Sequence, residues 1–166
     1  MGAGSGRDAA WLVSLGYDVV AAEPAHGMRR EGQRRHADPR LRWIDDRLPE
    51  LGAVHRLGLA FDLILLSGVW MHVRPPDRPR AFRKLATLLK PGGMLLMTVR
   101  NAGGEPDRPM WETSAGEIEG WRGATAYRSS GSWLVTTSWG VPTSNGPRSR
   151  SSFPTTEAAP CPFCAA

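Results

Sequence analysis

Two strongly apolar runs on either side of a helical pattern constrain the fold of this chain most. Residues 61–68 (FDLILLSG) and 94–100 (MLLMTVR) are apolar on both alternating faces, which predicts strands that are covered on both sides. Between them, residues 77–90 (DRPRAFRKLATLLK) place alanine, phenylalanine and leucine along one helical face. A strand, a helix and a second strand in this order are typical of parallel strands joined by a crossover helix.

The same alternation extends toward the N-terminus. The predicted elements there are a helix at 8–15, a strand at 17–23, a polar helix at 24–37, a strand at 41–46 and a loop or short helix at 47–58. Because the connections are short, we predict one α/β domain around a mostly parallel sheet over residues 1–120. Ligands of such sheets bind at the carboxyl ends of the strands.

Glycines at positions 2, 4 and 6 directly precede the first predicted helix. Glycine lets the backbone turn tightly and approach a ligand, and the start of a helix offers free N–H groups. Glu23 follows nineteen residues after Gly4, at the end of the next predicted strand. A carboxylate at that place can accept both hydroxyls of a ribose, so the pair predicts a cofactor that contains adenosine.

The spacing of the three glycines distinguishes two kinds of nucleotide-binding loop. A dinucleotide loop has the pattern G-x-G-x-x-G, and its third glycine would fall at position 7, which is arginine. The pattern present, G-x-G-x-G, resembles motif I of the class I S-adenosylmethionine (SAM)-dependent methyltransferases. Three later stretches resemble that family in the same order: IDD at 44–46, FDLILLSGVWMHV at 61–73 and LATLLKPGGMLLMTV at 85–99. The resemblance covers residues 1–100.

The resemblance implies a Rossmann-like, doubly wound sheet with SAM as the cofactor. The residues that it implies for the cofactor are Gly2, Ala3 and Gly4 beneath the methionine part of SAM, Gly6 in the same loop, Glu23 at the ribose, Asp45 or Asp46 at the adenine amine, and Ser67 near the cofactor or substrate. The alternatives are a solvated acid at the end of a strand for Glu23 and a turn-forming pair for the two aspartates.

His72 is the candidate catalytic base, for an acceptor that must lose a proton before it is methylated. Its alternative is a histidine that packs or caps after the strand. Trp70 and Met71 either line an acceptor pocket or belong to the core. The other histidines lack metal-ligand spacing, and we interpret the Cys161 and Cys164 pair as chance, so we predict no metal site.

Composition argues against two other classes of function. The net charge of +5 is concentrated in residues 121–166, which carry a net charge of +3 without a basic stripe on a predicted element. We therefore expect no nucleic-acid partner. No apolar run is long enough to cross a membrane, and no signal-peptide pattern opens the chain, so we expect a cytoplasmic protein. The oligomeric state is not predicted.

Both ends of the sequence depart from the family pattern. In the family, an apolar strand precedes the glycine loop and forms the centre of the sheet. The sequence starts one residue before the first glycine, so we expect a misplaced start and a strand encoded upstream. In residues 121–166 the pattern collapses, and only 132–139 (SWLVTTSW) predicts a strand. This poorly ordered tail is either a natural disordered segment or, as we favour, the product of a frameshift.

Transfer of a methyl group from SAM to a small-molecule acceptor is the function that these residues predict. Two alternatives remain. One is a degenerate, non-catalytic fragment of the same fold, which the missing strand favours. The other is an NAD-dependent oxidoreductase, which Arg7 in place of a third glycine disfavours.

Overall fold

The computed structural model describes residues 1–99, 109–113, 117 and 132–137. Strands and helices alternate along the chain as the sequence predicts. The elements are α1 (Arg7–Ser14), β1 (Val19–Ala22), α2 (His26–Arg35), β2 (Leu41–Ile44), α3 (Gly52–His55), β3 (Phe61–Ser67), α4 (Arg78–Thr87), β4 (Leu89–Val99) and β5 (Ser132–Thr137), with 3-10 turns at Trp70–His72 and Pro75–Asp77.

All strand pairs in the described residues are parallel. β1 pairs with β2, from Val19 opposite Leu41 to Ala22 opposite Ile44. β3, β4 and β5 form a second sheet in that order. Parallel strands with helical connections confirm the predicted α/β class.

β4 begins earlier than the sequence predicts. The sequence pattern ends the preceding helix at the Pro-Gly-Gly turn and starts the strand at Met94, whereas the structure starts it at Leu89. The register jumps, since Phe61 lies opposite Leu89 but Leu63 lies opposite Met94. The reason is a close backbone contact: Phe61 N–H donates to Leu88 O at 2.8 Å, and a Cβ on Gly93 would lie 2.9 Å from Phe61 O. The turn is therefore a bulge packed on the start of β3.

The strand predicted at 132–139 is present as β5. It lies at the edge of the second sheet, and its pairing with β4 runs from Met94 opposite Ser132 to Val99 opposite Thr137. The other residues of the predicted tail lie outside the described residues. Between residues 113 and 132, only Glu117 is described, and it is helical.

The main core lies between the second sheet and α4. The apolar face predicted for this helix is buried, and it packs with β3 and β4 in a cluster that includes Leu66, Trp70, Ala81, Phe82, Leu85, Leu88, Leu95 and Met97. A smaller cluster joins α1 to the first sheet through Ala9, Val13, Ala21 and Leu41. Within the described residues, no helix has both the length and the apolar character needed to cross a bilayer.

A slot of about 460 Å³ separates the two sheets. Residues of β1 and β3 line it, and neither strand pairs with another strand on the slot side among the described residues. Met1 closes one end of the slot, because its amino group donates to Leu65 O of β3 at 2.8 Å. On the other side, Ala3 N–H donates to Ala22 O at the end of β1, at 3.1 Å. Burial lowers the pKa of the Met1 amino group to about 6. In the described part of the chain, β1 and β3 therefore each present to the slot an edge that has no strand partner.

An apolar strand fused directly before Met1 should therefore stabilise the protein. We predict that about six Val and Ile residues, the common strand length, raise the Tm by about 5 °C or more, because the strand pairs with both facing edges and removes apolar surface from water. The measurement is thermal unfolding followed by circular dichroism. A fusion of equal length made of Gly and Ser is the control, and equal Tm values for the two fusions would contradict the prediction.

Candidate functional site

A second cavity, of about 480 Å³, lies where β1, β2 and β3 end. This volume is typical of small-molecule sites, and the carboxyl ends of parallel strands are their usual place. The wall is formed by the glycine loop and by the segments that follow the three strands. Of the residues predicted for the site, it brings together Gly2, Gly4, Glu23, Asp46, Ser67 and His72.

The glycine loop contributes its backbone to the cavity. Gly2 and Gly4 have φ angles of +63° and +57°, a region that other L-residues rarely adopt. A Cβ on Gly2 would lie 2.5 Å from Val69 Cγ2, whereas a Cβ on Gly4 would meet only Met28 Cε, at 3.7 Å. Gly2 therefore allows the loop to pack on the segment after β3, and Gly4 presents open backbone to the cavity.

Gly6 and Ala3 do not line this cavity. Gly6 immediately precedes α1, and a Cβ there would lie 2.8 Å from the Trp43 ring. A glycine at this position lets α1 pack against β2. Ala3 lines the slot between the sheets instead. Both residues shape the loop without forming the wall of the cavity.

Glu23 is buried, with 7% of its surface exposed. Its Oε2 accepts a hydrogen bond from Gly4 N–H at 2.7 Å, and its Oε1 accepts one from Ala25 N–H at 2.9 Å. A solvated acid would not be arranged in this way. A carboxylate offers about four lone-pair sites, so each oxygen retains one for a further donor. The carboxylate both fixes the loop and remains able to accept hydroxyl groups.

Asp45 and Asp46 have different environments. Asp46 lines the cavity and is buried; its Oδ1 accepts from Arg47 N–H at 2.9 Å and its Oδ2 from Val54 N–H at 2.8 Å. The Asp45 side chain is 68% exposed and pairs with Arg29 at 2.8 Å. Asp46 is therefore the acid of the pair that lies in the cavity wall, and it also fixes the turn that leads into α3.

Arg29 connects the ends of two strands. Besides its pair with Asp45 after β2, its Nη1 donates to Glu23 O after β1 at 2.6 Å. Arg29 lies in α2 and fixes the backbone of Glu23, while the Glu23 carboxylate fixes the glycine loop. The salt bridge to Asp45 thus supports the site from outside the cavity.

His72 lies in the 3-10 turn after β3 and is half-buried. Its Nδ1 is 3.0 Å from Pro109 O. A carbonyl oxygen can only accept a hydrogen bond, so Nδ1 carries the proton in the neutral ring and Nε2 carries the lone pair. His72 is thus in the tautomer of a base at Nε2. Its neighbours Trp70 and Met71 are fully buried and belong to the core.

Most of the apolar wall of the cavity was not predicted from the sequence. The cavity is also lined by Met28, Leu48, Leu51, Val69, Val73 and Pro109, and by the polar residue Arg47. Met28 carried a signal, because it is an isolated apolar residue near the start of a polar helix. Pro109 carried none, since a contact over 37 residues of chain leaves no local pattern. No group of three His, Cys, Asp or Glu side chains that could hold a metal ion occurs in the described part of the chain.

Replacement of Glu23 by Gln should destabilise the fold. In the variant, an NH₂ group replaces one of the two side-chain oxygens and faces a backbone N–H, so two donors meet and that hydrogen bond is lost. The remaining oxygen is neutral and accepts a weaker hydrogen bond from its own N–H donor. We predict that the free energy of unfolding falls by about 1–3 kcal/mol, measured by urea denaturation. Glu50→Gln is the control, because Glu50 is exposed. Equal losses in the two variants would contradict the structural role of Glu23.

Comparison with known proteins identifies the family of the chain. No curated protein matches the chain. A family model described as a methyltransferase domain matches residues 1–97, which is more than half of the chain and includes the glycine loop, Glu23, Asp46 and His72. The chain therefore belongs to the methyltransferase domain family, as its resemblance to the class I SAM-dependent methyltransferases predicts.

Proposed function

We propose that the cavity binds SAM and that the protein transfers its methyl group to a small-molecule acceptor, on a doubly wound, Rossmann-like sheet. One observation carries the proposal most. The buried Glu23 carboxylate lies beside the open backbone of Gly4, in the wall of a cavity at the carboxyl ends of three parallel strands. An acid and a glycine loop in this arrangement suit a nucleoside with a charged side arm.

The residues of the cavity fit the parts of SAM. The free lone pairs of Glu23 would accept the ribose hydroxyls. Asp46, whose two bonds to backbone N–H groups also leave lone pairs free, would accept from the adenine amine. The apolar side chains of Leu48 and Leu51, which line the cavity beside Asp46, would cover the base. The open backbone of Gly4 would face the methionine part.

Bound SAM would supply a methyl group already activated by its sulfonium sulfur. The protein then needs to bind SAM and the acceptor, to orient the acceptor toward the methyl group, and to exclude water. For an acceptor that must lose a proton, His72 would take it at Nε2 and hold it there, while Nδ1–H remains bonded to Pro109 O. Ser67, at the end of β3 in the same wall, would contact the cofactor or the acceptor.

Two matched glycine variants test SAM binding at this cavity. Gly4 and Gly16 both have positive φ angles, and a Cβ has ordinary space at each, since it would meet Met28 Cε at 3.7 Å at Gly4 and no atom within 4 Å at Gly16. The backbone cost of a side chain, about 1–2 kcal/mol, is therefore similar. Only Gly4 lines the cavity. The pair separates loss of binding from loss of stability.

We predict that wild-type protein binds S-adenosylhomocysteine in a calorimetric titration. Gly4→Val should weaken this binding at least about tenfold, equivalent to 1.4 kcal/mol, because its side chain enters the cavity. Gly16→Val should bind like wild type. Equal affinities for the two variants would place the cofactor elsewhere. Wild-type binding of NAD without binding of S-adenosylhomocysteine would contradict the proposed function and favour an oxidoreductase.

A further inference from the structure

Arg78 is a buried cation outside the cavity. It is the first residue of α4 and is 1% exposed. Its Nε donates to Val73 O at 3.0 Å, and its Nη1 donates to Glu112 O at 3.0 Å and pairs with the Glu117 carboxylate at 2.7 Å. Burial of a charge is costly unless it is paired and hydrogen-bonded, and Arg78 meets this condition by joining three parts of the chain.

The groups that Arg78 joins include two segments of the cavity wall. Val73 follows the 3-10 turn that carries His72, and Glu112 belongs to the segment 109–113 that carries Pro109. His72, Val73 and Pro109 all line the cavity. A planar guanidinium presents its donors in a fixed fork, so Arg78 joins these two segments through donors of fixed relative geometry.

Two further bonds cross between the same segments. Trp111 N–H donates to Met71 O at 2.9 Å, and His72 Nδ1 contacts Pro109 O at 3.0 Å. Neither bond belongs to the regular hydrogen-bond pattern of a helix or a sheet, because residues 109–113 form neither. Among these contacts between the turn at 70–73 and the segment 109–113, those of Arg78 involve a buried charged side chain.

We propose that Arg78 is a positioning residue for His72. By holding 109–113 against the turn at 70–73, it keeps Pro109 O at Nδ1 and so keeps the lone pair on Nε2. Without this hold, Nδ1 loses its acceptor and the proton can occupy either ring nitrogen. A proton on Nε2 would prevent that atom from acting as a base. The importance for catalysis rests on the proposed function, whereas the hold itself can be measured without SAM.

The experiment is NMR of protein with ¹⁵N-labelled histidine, at a pH where the rings are neutral. The chain has four histidines, and His72→Gln identifies the signals of His72. Wild type should show a protonated Nδ1 and an unprotonated Nε2. Arg78→Lys keeps the charge but loses the fork, and Arg78→Met removes both. Arg83→Lys and Arg83→Met are controls, because Arg83 is exposed on the same helix.

In the Arg78 variants, we expect the His72 signals to shift toward a mixture of tautomers, while those of His26, His36 and His55 stay in place. Hydrogen exchange of the Trp111 amide should become at least about tenfold faster. If the Arg78→Met variant does not fold, the comparison of Arg78→Lys with wild type tests the proposal. A folded Arg78→Lys protein with wild-type His72 signals and Trp111 exchange would overturn the proposal. Failure of wild type to bind S-adenosylhomocysteine would instead remove the proposed function and leave the tautomer result standing.

Discussion

The two hydrogen bonds accepted by the buried Glu23 carboxylate connect the parts of this structure that matter for function. One comes from the glycine loop and the other from the residue that precedes α2. A buried charge without such partners is strongly unfavourable, and so is a buried N–H without an acceptor. The carboxylate therefore fixes the loop and the end of β1 in one arrangement, in which the backbone of Gly4 lines the cavity.

The rest of the cavity wall is held by the same kind of contact. Asp46 binds the backbone of the turn after β2, Arg29 binds the backbone of Glu23 from α2, and Arg78 binds the backbone of the segments around His72. Each of these side chains attaches an irregular segment to the end of a strand or to a helix. The apolar core between α4 and the second sheet positions the strands, and the polar contacts position the irregular segments at the strand ends.

Much of this arrangement could be predicted from the sequence because its determinants are local. The apolar runs and the helical spacing indicated the α/β class, and the distance between Gly4 and Glu23 indicated the acid at the end of β1. The rest depends on contacts between distant residues. The neighbouring sequence does not show which of Asp45 and Asp46 lies in the cavity wall. That depends on distant partners, because Arg29 pairs with Asp45 and the N–H of Val54 donates to Asp46.

Contacts between distant residues also act at two of the glycine-containing turns. Gly6 fits the loop pattern; its φ of +91° favours glycine, and so does the Trp43 ring, 37 residues later, which a Cβ would meet at 2.8 Å. The Pro-Gly-Gly turn has the pattern of a boundary between a helix and a strand, but its contact with Phe61 makes it a bulge within β4. The partner of His72, Pro109, could not be found for the same reason. Each of these assignments needs the fold before it can be made.

We propose that the cavity beside Glu23 is the cofactor site. A crystal structure of the protein with S-adenosylhomocysteine would show whether the ligand binds there. Binding at this site predicts density for the ligand between Gly4, Glu23 and Asp46, with the ribose hydroxyls against the Glu23 carboxylate. Density for the ligand in the slot between β1 and β3, or a ribose that makes no contact with Glu23, would contradict it.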